Sequence, residues 1–470
     1  MRWRAVAVVC RCGGVGWGST ALEGSALGEP WRVISRDTAT TGRRSSRLRA
    51  DPGCGALTTS PRTAEAALAA TGATGAQAAS TSWRQPLREA LAALPPERQR
   101  RLRSFSNAAR PAELQPSQQA PLLDLASNDY LGFGRHPAVL AAAAAELQRS
   151  GLGAGASRLI SGTRPVHGQL EEALAHWLGR ERALLFPSGF QANLAAVAAL
   201  ADRHTLVLAD RLIHHSLLTG VKACGARLHR FAHNDLADLE RRLNQARREQ
   251  PRHRLLVLSE SLFSMEGTSP DLQALQAICA DHGAALLLDE AHALGVLGPA
   301  GRGLALHGDS APALISGTFG KAFGSGGAFL AGDALVIDWL IQHSGPFRYT
   351  TALAPPLAAG ALAALQQLQE LEHRDQAPGA ELLVKARRWR DQLQAAGWPR
   401  PAGTGPILPL LVGSDRQALA LQQQLEQAGL LSVAIRPPTV PEGTARLRLV
   451  VRHDLPEATL ARLLQALGAP

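Results

Sequence analysis

Long apolar runs are missing from this chain of 470 residues, although 46% of its residues are hydrophobic. Crossing a bilayer takes about 20 consecutive apolar residues, and every run here is shorter and interrupted, so no membrane span and no membrane partner are expected. Cysteine is scarce too: there are five, and Cys10, Cys12 and Cys54 precede residue 83, leaving Cys224 and Cys279 for the rest. That number cannot build a disulfide framework and fits a reducing compartment, so the expected location is the cytoplasm. Basic stripes interleaved with aromatics are also lacking. The net charge of +10 draws half of its excess from residues 1–82, which carry ten Arg against five acids, and the remainder is scattered, so no nucleic-acid partner is expected. Lysine is the last shortage: Lys222, Lys321 and Lys385 are the only three, every other basic residue being arginine or histidine.

What is present divides along the chain, whose length exceeds what one hydrophobic core usually serves. Residues 1–82 are rich in Gly, Ala, Ser, Thr and Arg and follow neither a period of 2 nor one of 3.6. They are expected to form a disordered N-terminal extension. A targeting segment, or upstream sequence translated from a start codon assigned too early, stays open; Met265 is the only other methionine. From Trp83 the spacing of Leu87, Leu91 and Leu94 predicts an amphipathic helix, and residues 83–131 are taken as an N-terminal helical arm ending in a short strand over 123–127 and a turn. Residues 132–370 then alternate helix and strand. Apolar runs at 183–186, 205–209, 255–258 and 285–288 are each followed closely by an acid or a hydroxyl residue. Continuous apolar strands separated by helices predict an α/β fold with a mostly parallel sheet covered on both faces, binding ligands beyond the carboxyl ends of its strands. Residues 371–470 read as a small C-terminal α+β domain, with strands at 407–412, 432–435 and 446–451 and helices at 416–428 and 457–467.

Lys321 stands in Gly317-Thr318-Phe319-Gly320-Lys321-Ala322-Phe323-Gly324-Ser325-Gly326-Gly327. A lysine kept where the composition otherwise chooses arginine suits a Schiff base, because that chemistry needs an amine able to lose its proton near neutral pH. Alone, a lysine in a glycine-rich loop is an ordinary turn. Thirty-two residues upstream, however, Asp289 ends a predicted strand, and a carboxylate aimed at a pyridine nitrogen would make pyridoxal phosphate an electron sink. His292 could reach the ring oxygen. Ser188-Gly189-Phe190 joins a strand to a helix, where backbone N–H groups and the helix dipole favour a phosphate, with Ser264 and Thr318 as further hydroxyl donors. His214 or His215 could stack on the ring; adjacent histidines cannot easily converge on one metal ion, and no metal is expected. Strand alternation puts Arg446 and Arg448 on one face. Either guanidinium could pair with a substrate carboxylate, and a solvated strand face is the other reading, the one taken for Arg446.

In chain order these parts resemble the α-oxoamine synthase family of fold-type-I pyridoxal phosphate enzymes, from about Trp83 to the C-terminus. The likeness rests on Ser127-Asn128-Asp129-Tyr130-Leu131-Gly132, Ala209-Asp210-Arg211-Leu212, Arg230-Phe231-Ala232-His233-Asn234-Asp235, Thr318-Phe319-Gly320-Lys321 and Ala434-Ile435-Arg436-Pro437-Pro438-Thr439-Val440-Pro441. It implies an acyltransferase that condenses an amino acid with an acyl thioester and releases carbon dioxide. The member it is most similar to uses L-alanine and a pimeloyl thioester, of coenzyme A or a carrier protein, in biotin biosynthesis. By the same resemblance Lys321 carries the cofactor and acts as base, Asp289 holds the ring nitrogen, His292 the ring oxygen, and His214 stacks on the ring. Ser188, Gly189, Phe190, Ser264 and Thr318 surround the cofactor, and Thr351 reaches the phosphate of the partner subunit in a homodimer whose active site lies at the interface. Asn128 and Arg448 bind the amino-acid carboxylate, with Arg103, or Arg101, toward the far carboxylate of the acyl chain. Ile213 and His215 depart from the small residues usual beside the stacking histidine. Members that use glycine or serine share the site and separate only by overall similarity around Arg436. A transcriptional regulator built on the same fold would need a helix-turn-helix, which residues 1–82 do not show.

Overall fold

Fourteen strands alternate with helices in the computed structural model, which describes residues 82–305 and 311–470. The expected disordered extension therefore lies, but for its last residue, outside the described residues. The strands are β1 (Phe105–Asn107), β2 (Glu113–Pro116), β3 (Leu122–Asp124), β4 (Arg182–Phe186), β5 (Thr205–Asp210), β6 (Arg227–Phe231), β7 (Arg254–Glu260), β8 (Ala285–Asp289), β9 (Leu314–Thr318), β10 (Ala328–Gly332), β11 (Ile407–Gly413), β12 (Leu430–Leu431), β13 (Val433–Ile435) and β14 (Ala445–Val450). Seven of them form the main sheet in the order β4-β10-β9-β8-β7-β5-β6. All neighbours are parallel except β10, which runs antiparallel to both β4 and β9.

Period-2 alternation explains why these strands are apolar throughout. Val207, Ala209, Leu256, Leu258 and Leu287 point to one side, into a cluster with Ala192, Ala195 and Ala196 of the helix Gly189–Leu200 and Leu217 of the helix His215–Cys224. Their neighbours Leu206, Leu208, Leu255, Val257, Leu286 and Leu288 point to the other side. There they meet Leu239 and Leu243 of the helix Leu236–Glu249 and Leu275 of the helix Leu272–Asp281. Each face is thus sealed by helices, and water reaches the strands only at their ends.

The strands near the two termini are joined. β11, β14 and β13 make an antiparallel sheet in the order β11-β14-β13, while β3 pairs in parallel with β12 in a sheet ordered β1-β2-β3-β12. The stretch 83–131, predicted as helical, holds one eight-residue helix, Gln85–Ala92, and three strands. The leucine spacing does make that helix amphipathic, but none of its residues is buried among the described residues. Farther on, the partner offered by β12 at the other end of the sequence draws residues 122–124 into a sheet. Among the described residues no helix is long and apolar enough to cross a membrane.

Candidate active site

The carboxyl ends of β5, β7, β8 and β9 converge on a cavity of about 220 Å³. Its walls include Gly189, Phe190, Asn193, His214, Glu260, Asp289, His292, Thr318 and Lys321. Parallel pairing sets Glu260, the last residue of β7, beside Asp289, the last of β8, and Asp289 beside Ser316 of β9. Residues that end adjacent apolar strands are delivered to one place by the sheet itself.

Lys321 follows β9 in a tight turn closed by Gly324 N–H donating to the Lys321 carbonyl at 2.9 Å. Gly324 has φ +60°, and a methyl group there would come 2.0 Å from the Gly134 nitrogen, so this turn accepts no other residue. Lys321 is half-buried in this turn and lines the cavity. Burial brings its amine down to about 8, against the pull of the Asp289 and Glu260 carboxylates and with the help of Arg448.

Asp289 is 6% exposed and accepts from Asn193 Nδ2 at 2.7 Å and from the Ala291 N–H at 2.9 Å. Asn193 Nδ2 lies 3.0 Å from Ser216 Oγ, which lies 2.7 Å from His214 Nδ1. His214 caps the helix His215–Cys224, and its own backbone N–H donates to Glu260 Oε1 at 2.6 Å. Burial holds the His214 imidazole below its ordinary pKa, with Asp289 opposing and Lys321 and His215 assisting. Although one side of His214 is open, its inner nitrogen faces this polar chain. Glu260 is pushed well above the usual carboxylate range, first by burial and then by the Asp289 charge.

On the other side of the cavity, His292 Nδ1 meets the Tyr130 hydroxyl at 2.6 Å. Burial, then Lys321 and Arg448, hold His292 well below its ordinary pKa, and burial pushes Tyr130 up to about 12. Arg448 donates from Nη2 to Asn128 Oδ1 at 2.9 Å and from Nε to the Ser264 carbonyl at 2.6 Å. The guanidinium is thus levelled between β14 and the turn that carries Asn128 and Tyr130. Arg446 is not on a solvated face as expected. It is 6% exposed and donates to the Met265 carbonyl at 3.1 Å and to Glu266 at 3.3 Å, because the loop after β7 folds over that face of β14.

Of the remaining predicted residues, Ser188 caps the helix Gly189–Leu200 by accepting from Gln191 N–H at 3.3 Å. A methyl at Gly189 would stand 3.6 Å from Thr318 Cβ, so the two residues are close neighbours in the cavity wall. Thr318 donates its hydroxyl to the Gly327 carbonyl, and Ser264 meets Arg448 through its backbone. Thr351 lies away from this cavity, exposed, bridged to Ser157 and bordering a hollow of about 500 Å³. Arg103 forks onto Glu426 and lies over the Phe105 ring. Sequence reasoning passed over Asn193, Ser216 and Glu260. Glu260 carried a usable signal, since it ends an apolar strand in the same way as Asp289.

The arrangement suits pyridoxal phosphate. The cavity has an amine suited to covalent attachment, a carboxylate held by two donors, and a twelve-residue helix whose first turn opens on it. Residues 120–467 match the sequence profile of the aminotransferase class I and II family. The chain belongs to that family. Within class I and II aminotransferases it is similar to 8-amino-7-oxononanoate synthase of Pseudomonas aeruginosa PAO1, with 44% identity over 351 residues, 74% of this chain and 85% of the relative. Among solved structures of the fold, serine palmitoyltransferase from S. paucimobilis, solved with bound pyridoxal phosphate, superposes with a TM-score of 0.73 at 28% identity, over 78% of this chain and 91% of that one. The 8-amino-7-oxononanoate synthase of Francisella tularensis gives 0.62 at 26% identity, over 74% and 96%.

Proposed function

We propose that the chain condenses L-alanine with a pimeloyl thioester and releases carbon dioxide, the reaction of an 8-amino-7-oxononanoate synthase in biotin biosynthesis. The observation that carries this reading is the meeting of Lys321, Asp289 and His292 around one cavity, with the Arg448 charge near enough to act on Lys321 and His292, in a chain whose curated relatives bear that name. The chain is a pyridoxal-phosphate-dependent acyltransferase. When bound, the cofactor supplies an electron sink for charge developing at the α-carbon of the amino acid.

Lys321 anchors the cofactor and then, as a free amine, takes the proton from the α-carbon of alanine. Burial lowers its pKa to about 8, so half of its population is in the base form at about pH 8. Asp289, gripped by Asn193 and Ala291, keeps the ring nitrogen protonated. His292, held below its ordinary pKa and joined to Tyr130, would contact the ring oxygen, and His214 would cover the ring face. Ser188, Gly189 and Phe190, at the start of their helix, with Ser264 and Thr318, surround the cofactor and its phosphate. Arg448 and Asn128 hold the alanine carboxylate, the guanidinium by its planar fork. Thr351 reaches the site of a second protomer, so the working unit is a homodimer, and the cytoplasm is its place. Arg103 is the weakest member of the set, since Glu426 already engages its fork.

Purified protein incubated with alanine or glycine and a panel of acyl thioesters tests the reading. Product is expected with alanine and pimeloyl thioester; product only with glycine and acetyl- or succinyl-coenzyme A would overturn the substrate choice. Lys321→Ala is expected to abolish the absorbance of the covalently held cofactor and to lower turnover by about 10⁴-fold.

A further inference from the structure

Asn193 and Ser216 stand between two residues that the reading above already employs; the chemistry of the atoms fixes the direction of the first two bonds, and the backbone N–H of Ser216 points to that of the third. The Asp289 carboxylate only accepts, so the Asn193 group 2.7 Å from it is the amide nitrogen. That nitrogen only donates, so Ser216 Oγ, 3.0 Å away, accepts from it. The one proton of the Ser216 hydroxyl is then free to go to His214 Nδ1 at 2.7 Å, toward which the Ser216 backbone N–H also points at 3.4 Å. A ring nitrogen that receives two donors carries no proton itself. Asn193 is 3% exposed and Ser216 fully buried, so water competes little for these groups.

We infer that Asn193 and Ser216 are positioning residues: a single hydrogen-bonded chain from Asp289 through both of them holds His214 neutral, with its proton on Nε2, and ties the orientation of the imidazole to that of the carboxylate. The inference rests on the placement of His214 over the cofactor ring and deepens it. An imidazolium lying on a ring whose nitrogen Asp289 keeps protonated would set like charges face to face. The chain lets one carboxylate support the ring charge while a neutral imidazole covers the ring. Asp289 from β8, Glu260 from β7, Lys321 from the turn after β9, His292 and His215 all face or flank the imidazole. Of these, only Asp289 favours its protonation in the balance that burial otherwise dominates.

The test uses the full-length holoenzyme with nitrogen-15-labelled histidine. His214 is expected as the Nε2–H tautomer, staying uncharged to lower pH than an ordinary imidazole. Ser216→Ala removes the donor that favours the neutral ring, so His214 should titrate about 0.5–1 pH unit higher, and the acid limb of kcat/KM should move up with it. Asn193→Ala should shift the limb less, and the double variant no further than Ser216→Ala, as expected for members of one chain. Should Ser216→Ala fold poorly, Ser216→Thr and Ser216→Val differ only in the hydroxyl, and only the valine should shift the profile. A proton on Nδ1 in the wild type, or profiles that stay fixed while only melting temperature falls, would overturn the inference. The tautomer is read independently of the chemistry, so failure of the functional reading would instead appear as covalent cofactor absorbance persisting in Lys321→Ala.

Discussion

Burial presses Lys321, His214, His292 and Glu260, which share one cavity, each toward its uncharged form. Arg448 is the group by which the site would meet an external charge. Arg448→Lys keeps the charge but loses the planar fork, and a lost charged hydrogen bond is worth about 1.5–3 kcal/mol. KM for alanine should rise about 10–100-fold while cofactor affinity stays level; steady-state kinetics beside a cofactor titration would separate the two, and an unmoved KM would place the carboxylate elsewhere. Glu290, next to Asp289 but turned from the cavity, is a separate case. It is fully buried, accepts from Ser261, Leu304 and Ala305, and is pushed up to about 7 mainly by burial. Its folded form binds a proton more tightly than its unfolded form, so the stability linked to it is complete below about pH 4.5 and is lost as pH rises through about 7. The loss is on the order of 3 kcal/mol, and Glu290→Gln, which keeps the two N–H bonds, should be the more stable protein at pH 8 and lose this slope. Urea unfolding between pH 5 and 8 measures it.

At the scale of elements, the site is a consequence of where strands stop. Four apolar runs of the main sheet were legible in the sequence because both faces are sealed and every residue must be apolar. β6 was not, since Arg227, His229 and Arg230 sit on an edge strand that needs no second apolar face. β9 was hidden by Gly317, required because a methyl there would come 2.4 Å from the Phe329 ring. Asp289, His292 and Lys321 were legible through a spacing that chemistry demands. Asn193 and Ser216 were not, because a polar residue inside an apolar helix pattern shows its purpose only when the carboxylate it meets, 96 residues on, is in view. The turn bearing Asn128 and Tyr130 depends on another distant pairing. Arg452 donates to Asp124 at 2.8 Å, to Ser127 at 2.9 Å and to Asp454, and Asp124 in turn accepts from Ala126 and Ser127 N–H. Asp124 is 1% exposed, so Arg452→Leu should cost about 3–5 kcal/mol by leaving its charge buried without a partner. KM for alanine should rise as well, because Asn128 loses its support. Adding Asp124→Leu should recover much of the stability but not KM, a difference that denaturation and kinetics together resolve.

At the scale of the whole molecule, the residue at issue is Thr351, which lies away from the cavity that Lys321 lines. It sits beside exposed apolar side chains: Ile160 is 80% and Tyr349 81% exposed, and both border the same hollow. Bulky apolar groups gathered on a surface mark a contact with another chain, and a two-fold axis would bring the same patch of each protomer against its copy. If the proposed homodimer shares its sites in this way, each site takes Lys321 from one protomer and Thr351 from the other. Lys321→Ala and Thr351→Ala homodimers should then both be weak, by different defects. Mixed, partly unfolded and reassociated, they form heterodimers in which one site carries both defects and the other carries none. Random pairing makes half of the dimers mixed, so activity should return to about a quarter of the wild-type value. Sites complete within one protomer would give no such recovery, because Lys321→Ala would remain dead in every pairing and Thr351→Ala would contribute only what it had alone. Ile160→Asp, which puts a charge into the patch, should yield monomers in sedimentation equilibrium and remove the recovery with them.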